Sequence, residues 1–162
     1  MSDATERVRR ARQLFAEAYQ LQMSGRLEEA IARYRDSIAS HPTAEAHTFL
    51  GWTYSFQDRL DEAIAECKKA IAVDPEFGNP YNDIGSYLFK QGKLDEAIPW
   101  LERAISATRY EPRHYPHCNL GRIYWAKGLL NRAIAEFERA LELDPQSRFA
   151  QGALDAVREQ LQ

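Results

Sequence analysis

The chain has little of what catalytic, metal-binding or membrane-spanning proteins need. Its 162 residues include two cysteines, Cys67 and Cys118. They lack C-x-x-C spacing, which argues against a zinc ribbon or a disulfide framework and implies reduced thiols. No stretch approaches the run of about 18 apolar residues that crosses a bilayer. Residues 1–13 are charged where a signal peptide has its apolar segment, so a cytoplasmic protein without a membrane partner is expected. Basic excess is also missing: 21 Lys and Arg stand against 24 Asp and Glu, for a net charge of −3. That balance excludes a general nucleic-acid binder, which must neutralise several phosphates. The one basic cluster, Arg7, Arg9, Arg10 and Arg12, points around a helix rather than along one stripe, and reads as a solvated helix end. There is no phosphate-cradling glycine loop, no nucleophile triad and no carboxylate pair outside solvated turns. No catalytic residue, cofactor or metal site is therefore assigned, and an enzyme is not expected.

What is present is repetition. A hydrophobic content of 44% suffices for one domain or one short solenoid. Four segments align: Gly25-Arg26-Leu27-Glu28-Glu29-Ala30-Ile31, Asp58-Arg59-Leu60-Asp61-Glu62-Ala63-Ile64, Gly92-Lys93-Leu94-Asp95-Glu96-Ala97-Ile98 and Gly128-Leu129-Leu130-Asn131-Arg132-Ala133-Ile134. Their alanines lie 33, 34 and 36 residues apart. Around them recur Leu50-Gly51 and Tyr54, Tyr81 and Ile84-Gly85, then Leu120-Gly121 and Tyr124; later come Ala70 and Pro75, Ala104, and Ala140 and Pro145. Repeat one is weaker, with Ala18 for the glycine and Glu17 for the leucine, but Ala30, Tyr34 and Pro42 keep the phase.

In period and signature the chain resembles the tetratricopeptide-repeat (TPR) family over roughly residues 5–146. The resemblance implies an all-α, right-handed superhelical solenoid of antiparallel helix pairs. A single TPR domain over 1–162 is expected, with repeats at about 11–43, 44–77, 78–113 and 114–147 and a capping helix at 147–161. Small residues, Ala18, Gly51, Gly85 and Gly121 from helix A and Ala30, Ala63, Ala97 and Ala133 from helix B, let the two axes approach. Gly25, Gly92 and Gly128 suit the left-handed turn between them, and Asp58 fills that place in repeat two. His41-Pro42, Asp74-Pro75 and Asp144-Pro145 end each B helix, because proline disfavours helical backbone before it. Cys67 holds a core place equivalent to Tyr34, Leu101 and Phe137. The last helix is expected to turn Phe149, Ala153, Leu154, Val157 and Leu161 toward the stack, since an array must cover its final repeat.

The segment Thr108–His117 departs from the pattern. It lacks the Asp-Pro stop and reads either as a longer turn with Pro116 in the first turn of the next helix or as a loop touching a partner. His114, His117 and Cys118 include two ligand types for zinc, but crowding around Pro116 is poorly suited to convergence on one ion. Pro99 falls inside a B helix and removes one backbone hydrogen bond.

The family's ligand-facing places are the second, fifth, ninth, twelfth and thirteenth of each repeat, which share one helix face. By that resemblance the partner-binding residues are Phe15, Tyr19, Trp52, Phe56, Asn82, Phe89, Lys90, Arg122 and Trp125. The set is aromatic. Trp52 and Trp125 lie outside the core signature, so either they serve binding or they pack between neighbouring A helices. The lysine and asparagine set of the family's carboxylate clamp is missing at Phe15, Tyr19, Trp52, Asn82 and Ser86. Lys90 and Arg122, on consecutive repeats, remain able to receive an acidic group. The function implied is an adaptor that binds a peptide segment of a partner protein in a concave groove. The alternative is a structural scaffold that forms homo-oligomers through repeat stacking or terminal-helix exchange.

Overall fold

The structure is a computed structural model, and it describes residues 2–162. Among them are nine helices and no extended strand. They are α1 (Asp3–Met23), α2 (Leu27–Ser40), α3 (Ala44–Phe56), α4 (Leu60–Val73), α5 (Asn79–Lys90), α6 (Leu94–Ser106), α7 (Tyr115–Ala126), α8 (Leu130–Leu143) and α9 (Arg148–Leu161). The chain divides into two compact units, Met1–Pro80 and Tyr81–Gln162.

The helix ends follow from local chemistry. Ser2, Thr43 and Ser147 cap α1, α3 and α9 by accepting the backbone N–H three residues on. Acidic pairs Glu28 and Glu29, Asp61 and Glu62, and Asp95 and Glu96 occupy the first turns of α2, α4 and α6, where they complement the helix dipole. Each A helix ends in one motif, with N–H donation from Arg26 to the Leu21 carbonyl at 2.9 Å and from Gly25 to that of Gln22 at 3.0 Å. The same two bonds recur in the next three turns and satisfy carbonyls that the helix leaves orphaned. The motif needs positive φ at its hinge, which is +76° to +78° at the three glycines and 58° at Asp58.

In Met1–Pro80, α1 packs antiparallel on α2 and α3 on α4. Ala18 and Ala30 are wholly buried at the first crossing. At the second, a Cβ on Gly51 would stand 2.9 Å from the Ala63 carbonyl oxygen and 3.3 Å from the buried Cys67 sulfur. Tyr34 is fully buried and donates its hydroxyl to Gln22 Oε1 at 2.7 Å.

In Tyr81–Gln162, Leu101 stands where a Cβ on Gly85 would reach and the Phe137 ring where one on Gly121 would reach. His47 with Glu66 (2.8 Å) and His117 with Glu136 (2.7 Å) tie helix A to helix B at the same places of repeats two and four. In repeat three those places hold Tyr81 and Trp100, whose rings meet at a tilt. Helix α6 continues through Pro99.

One expectation is corrected and one is met. In α9 the packed side is Ala150, Ala153, Leu154 and Val157, set against Ala133 and Phe137 or Ala140 of α8, whereas Phe149 and Leu161 are exposed. The Thr108–His117 segment forms the longer turn, pinned by a few buried residues while Thr108, Arg109, Glu111, Pro112 and Tyr115 stay exposed. Tyr110, Pro116 and His117 are buried, and Arg113 donates to the carbonyls of Ala107 and Thr108. Pro116 does sit in the first turn of α7.

Candidate functional site

In Met1–Pro80 the A helices bring four of the predicted residues together around a fifth. Phe49, half-buried on α3, meets Phe15 at 5.3 Å, Tyr19 at 5.9 Å and Trp52 at 5.8 Å between ring centroids, all edge to face. Trp52 in turn lies 5.0 Å from Phe56. Edge-to-face contacts of this kind are each worth about 0.5–1.5 kcal/mol beyond burial. The cluster is therefore ordered before any ligand arrives, yet Tyr19 is 38% exposed, Phe56 55% and nearby-turn Met23 49%. At the other end of α1, Val8, Ala11, Arg12 and Phe15 line a cleft of about 410 Å³ with the start of α3.

In Tyr81–Gln162 the predicted residues divide. Asn82 is buried and accepts a hydrogen bond from the Asn119 amide at 2.9 Å. Phe89 lies under the Arg122 guanidinium, 4.5 Å from ring centroid to Cζ. Lys90 is exposed. Trp125 is half-buried, its ring edge-on to Phe137 and its indole N–H donating to Gln160 Oε1 at 2.6 Å. Part of its role is thus to dock the last helix.

Sequence reasoning missed Phe49, Asn119 and Phe149. The first two share the sixth place of their repeats, which the ligand-facing pattern omits. Phe149 had a legible signal: continuing the repeat phase past Pro145 puts it at the second place, and it is 52% exposed.

The histidines at the start of α7 are engaged with side chains of α8 and its C-terminal cap. His117 faces Glu136, and His114 lies 3.5 Å from Asp144 and against the Tyr115 ring. Burial pushes the Cys118 thiol up to about 11, away from thiolate chemistry. Among the described residues no group of three His, Cys, Asp or Glu is placed to hold a metal ion. No helix among them is long and apolar enough to cross a membrane.

Comparison with known proteins agrees with this architecture. Two models described as Tetratricopeptide repeat match residues 15–76 and 76–146. The chain belongs to the tetratricopeptide-repeat family. Proteins of the family mediate protein–protein interactions through such repeats. Tetratricopeptide repeat protein 16 of Macaca fascicularis is 25% identical over 95% of the chain, and the match spans 19% of that protein. Type IV pilus assembly protein PilF of Pseudomonas aeruginosa is 28% identical over 74% of the chain and 48% of its own length. The chain thus spans less than half of these relatives. A solved structure of P. aeruginosa PilF superimposes with a TM-score of 0.89, at 22% identity, over 96% of this chain and 70% of that one. The first TPR of Spaghetti (RPAP3), bound to the HSP90 peptide SRMEEVD, superimposes with a TM-score of 0.67 at 25% identity, over 74% of this chain and 93% of that one.

Proposed function

We propose that the chain is a non-catalytic adaptor whose A-helix faces bind a polypeptide segment of a partner protein. The observation that carries this reading is the aromatic cluster of α1 and α3. Five rings hold one another in place while Tyr19, Phe56 and Met23 keep large apolar surface in water. A fold does not spend its largest apolar side chains this way without a use, and preorganised aromatics are the usual anchors of protein interfaces. The peptide-bound Spaghetti structure is support by analogy, since its repeats carry a peptide.

The test is an arrayed peptide library probed with the parent chain, Trp52→Ala and Phe56→Ala, with Arg139→Ala on α8 as control. Loss of an anchor costs about 2 kcal/mol, roughly thirtyfold in affinity. Weakened binding in the two aromatic variants, with unchanged helical melts and a neutral control, is the expected result. Glu66→Ala is unsuitable as a control, because Glu66 is tied to both His47 and Lys69. Light scattering over a concentration series tests the scaffold alternative: a chain that assembles, with assembly lost in the aromatic variants, assigns this surface to self-association instead.

A further inference from the structure

Phe89, Arg122, Trp125, Ala126 and Phe149 enclose an open pocket of about 340 Å³ within Tyr81–Gln162. Its one charged group is the Arg122 guanidinium, whose Cζ lies 4.5 Å from the Phe89 ring centroid and 6.0 Å from that of Phe149. The rings limit water on the faces of the guanidinium and leave its N–H edge as the polar part of the pocket. That edge is mostly uncommitted. Nη1 donates to Asn119 Oδ1 at 3.3 Å, and Asn119 is itself fixed by its bond to Asn82. Arg9, Arg26, Arg59 and Arg139 each meet a glutamate three residues away. Arg122 forms no ion pair among the described residues, and neither does Lys90, exposed at the end of α5.

We propose that this pocket receives the carboxylate of a glutamate side chain from the bound polypeptide. The proposal rests on the peptide-binding reading above and assigns the ligand chemistry of this unit. Charge complementarity calls for an anion, and the apolar walls decide which one. A chain-terminal carboxylate brings its own peptide N–H and C=O against Phe89, Trp125, Ala126 and Phe149, whose side chains offer those groups only the committed indole N–H, so their desolvation goes uncompensated. A glutamate side chain reaches Arg122 on methylenes that pack against the rings, while its backbone stays in water. The planar fork of arginine then binds both carboxylate oxygens, which a lysine does not do.

The test uses the full chain and an array of blocked peptides of about twelve residues, each with one glutamate among apolar residues. Matched copies carry glutamine instead, or carry no acidic side chain but a free C-terminal carboxylate. Glutamate peptides are expected to bind about tenfold tighter than their glutamine copies. The preference should vanish in Arg122→Gln and fall in Arg122→Lys, which keeps the charge but loses the fork, while Arg139→Gln retains it. The glutamate-to-glutamine comparison in the parent chain stands even if a variant folds poorly. Equal binding of both copies, a preference for the free terminus, or an unchanged preference in Arg122→Gln overturns the proposal and leaves the adaptor reading intact. If no peptide binds the parent chain, both readings fall together.

Discussion

Asp83 shows how burial alone can make a residue pH-sensitive. It lies on α5, and burial pushes its carboxyl from the ordinary range up to about 7. Nearby Tyr110 is buried too, and that burial, with Asp83 as a neighbouring charge, raises its phenol. An acid whose pKa is higher folded than unfolded holds its proton in the fold after the unfolded chain has lost it. Stability is therefore fully present below about pH 4, declines as the pH rises through about 7, and is flat above. Asp83→Asn removes the penalty, so it should raise the melting temperature by several degrees at pH 8 and by little at pH 4. Melts of both proteins across that range check it; a gain that is equal at both ends would show that Asp83 stays ionised in the fold.

At the scale of the helix pair, the same residue type has opposite roles in α7 and α9. Gly121 sits at a crossing, where a Cβ would stand 2.6 Å from one Phe137 ring carbon and 2.7 Å from another. The ring is fully buried and has nowhere to turn, so Gly121→Ala should destabilise the protein by about 1–3 kcal/mol. Gly152 lies inside α9 with open space around its missing Cβ. There Gly→Ala only removes backbone freedom from the unfolded chain, and should stabilise by about 0.5–1 kcal/mol. Denaturant titration of both variants checks the contrast. The crossings were legible in the sequence because small residues and positive-φ hinges are forced by close helix approach, which repeats every turn of the array. The outward face was less so: how far Phe49 is buried depends on rotation of one helix against the next, and spacing along one helix does not contain it. Asn82 shows the same limit, since its ligand-facing place is occupied by a bond to Asn119 from the following repeat.

At the scale of the whole chain, α1 packs on α2, α2 on α3 and α3 on α4 within Met1–Pro80, and α6 packs on α7, α7 on α8 and α8 on α9 within Tyr81–Gln162, each a neighbour in sequence. Stability in such an array is close to a sum over neighbouring interfaces, so damage at one end should spread only as far as those interfaces carry it. The last interface is apolar: Ala153, Leu154 and Val157 of α9 cover Ala133 and Phe137, with Ile134 and Leu141 beside them. Full burial of a Leu or Val contributes about 1.5–3 kcal/mol, so α9 is a large part of what its neighbours gain by packing. A chain ending at Pro145 should therefore lose amide protection in α7 and α8 and self-associate through the uncovered apolar surface, while α1, α2 and α3 exchange at close to the parental rate. Hydrogen exchange read by mass spectrometry, together with light scattering, measures both effects. Uniform loss of protection from α1 to α8 would instead mean that the chain unfolds as one cooperative body, and that the neighbour-by-neighbour description of its stability is wrong.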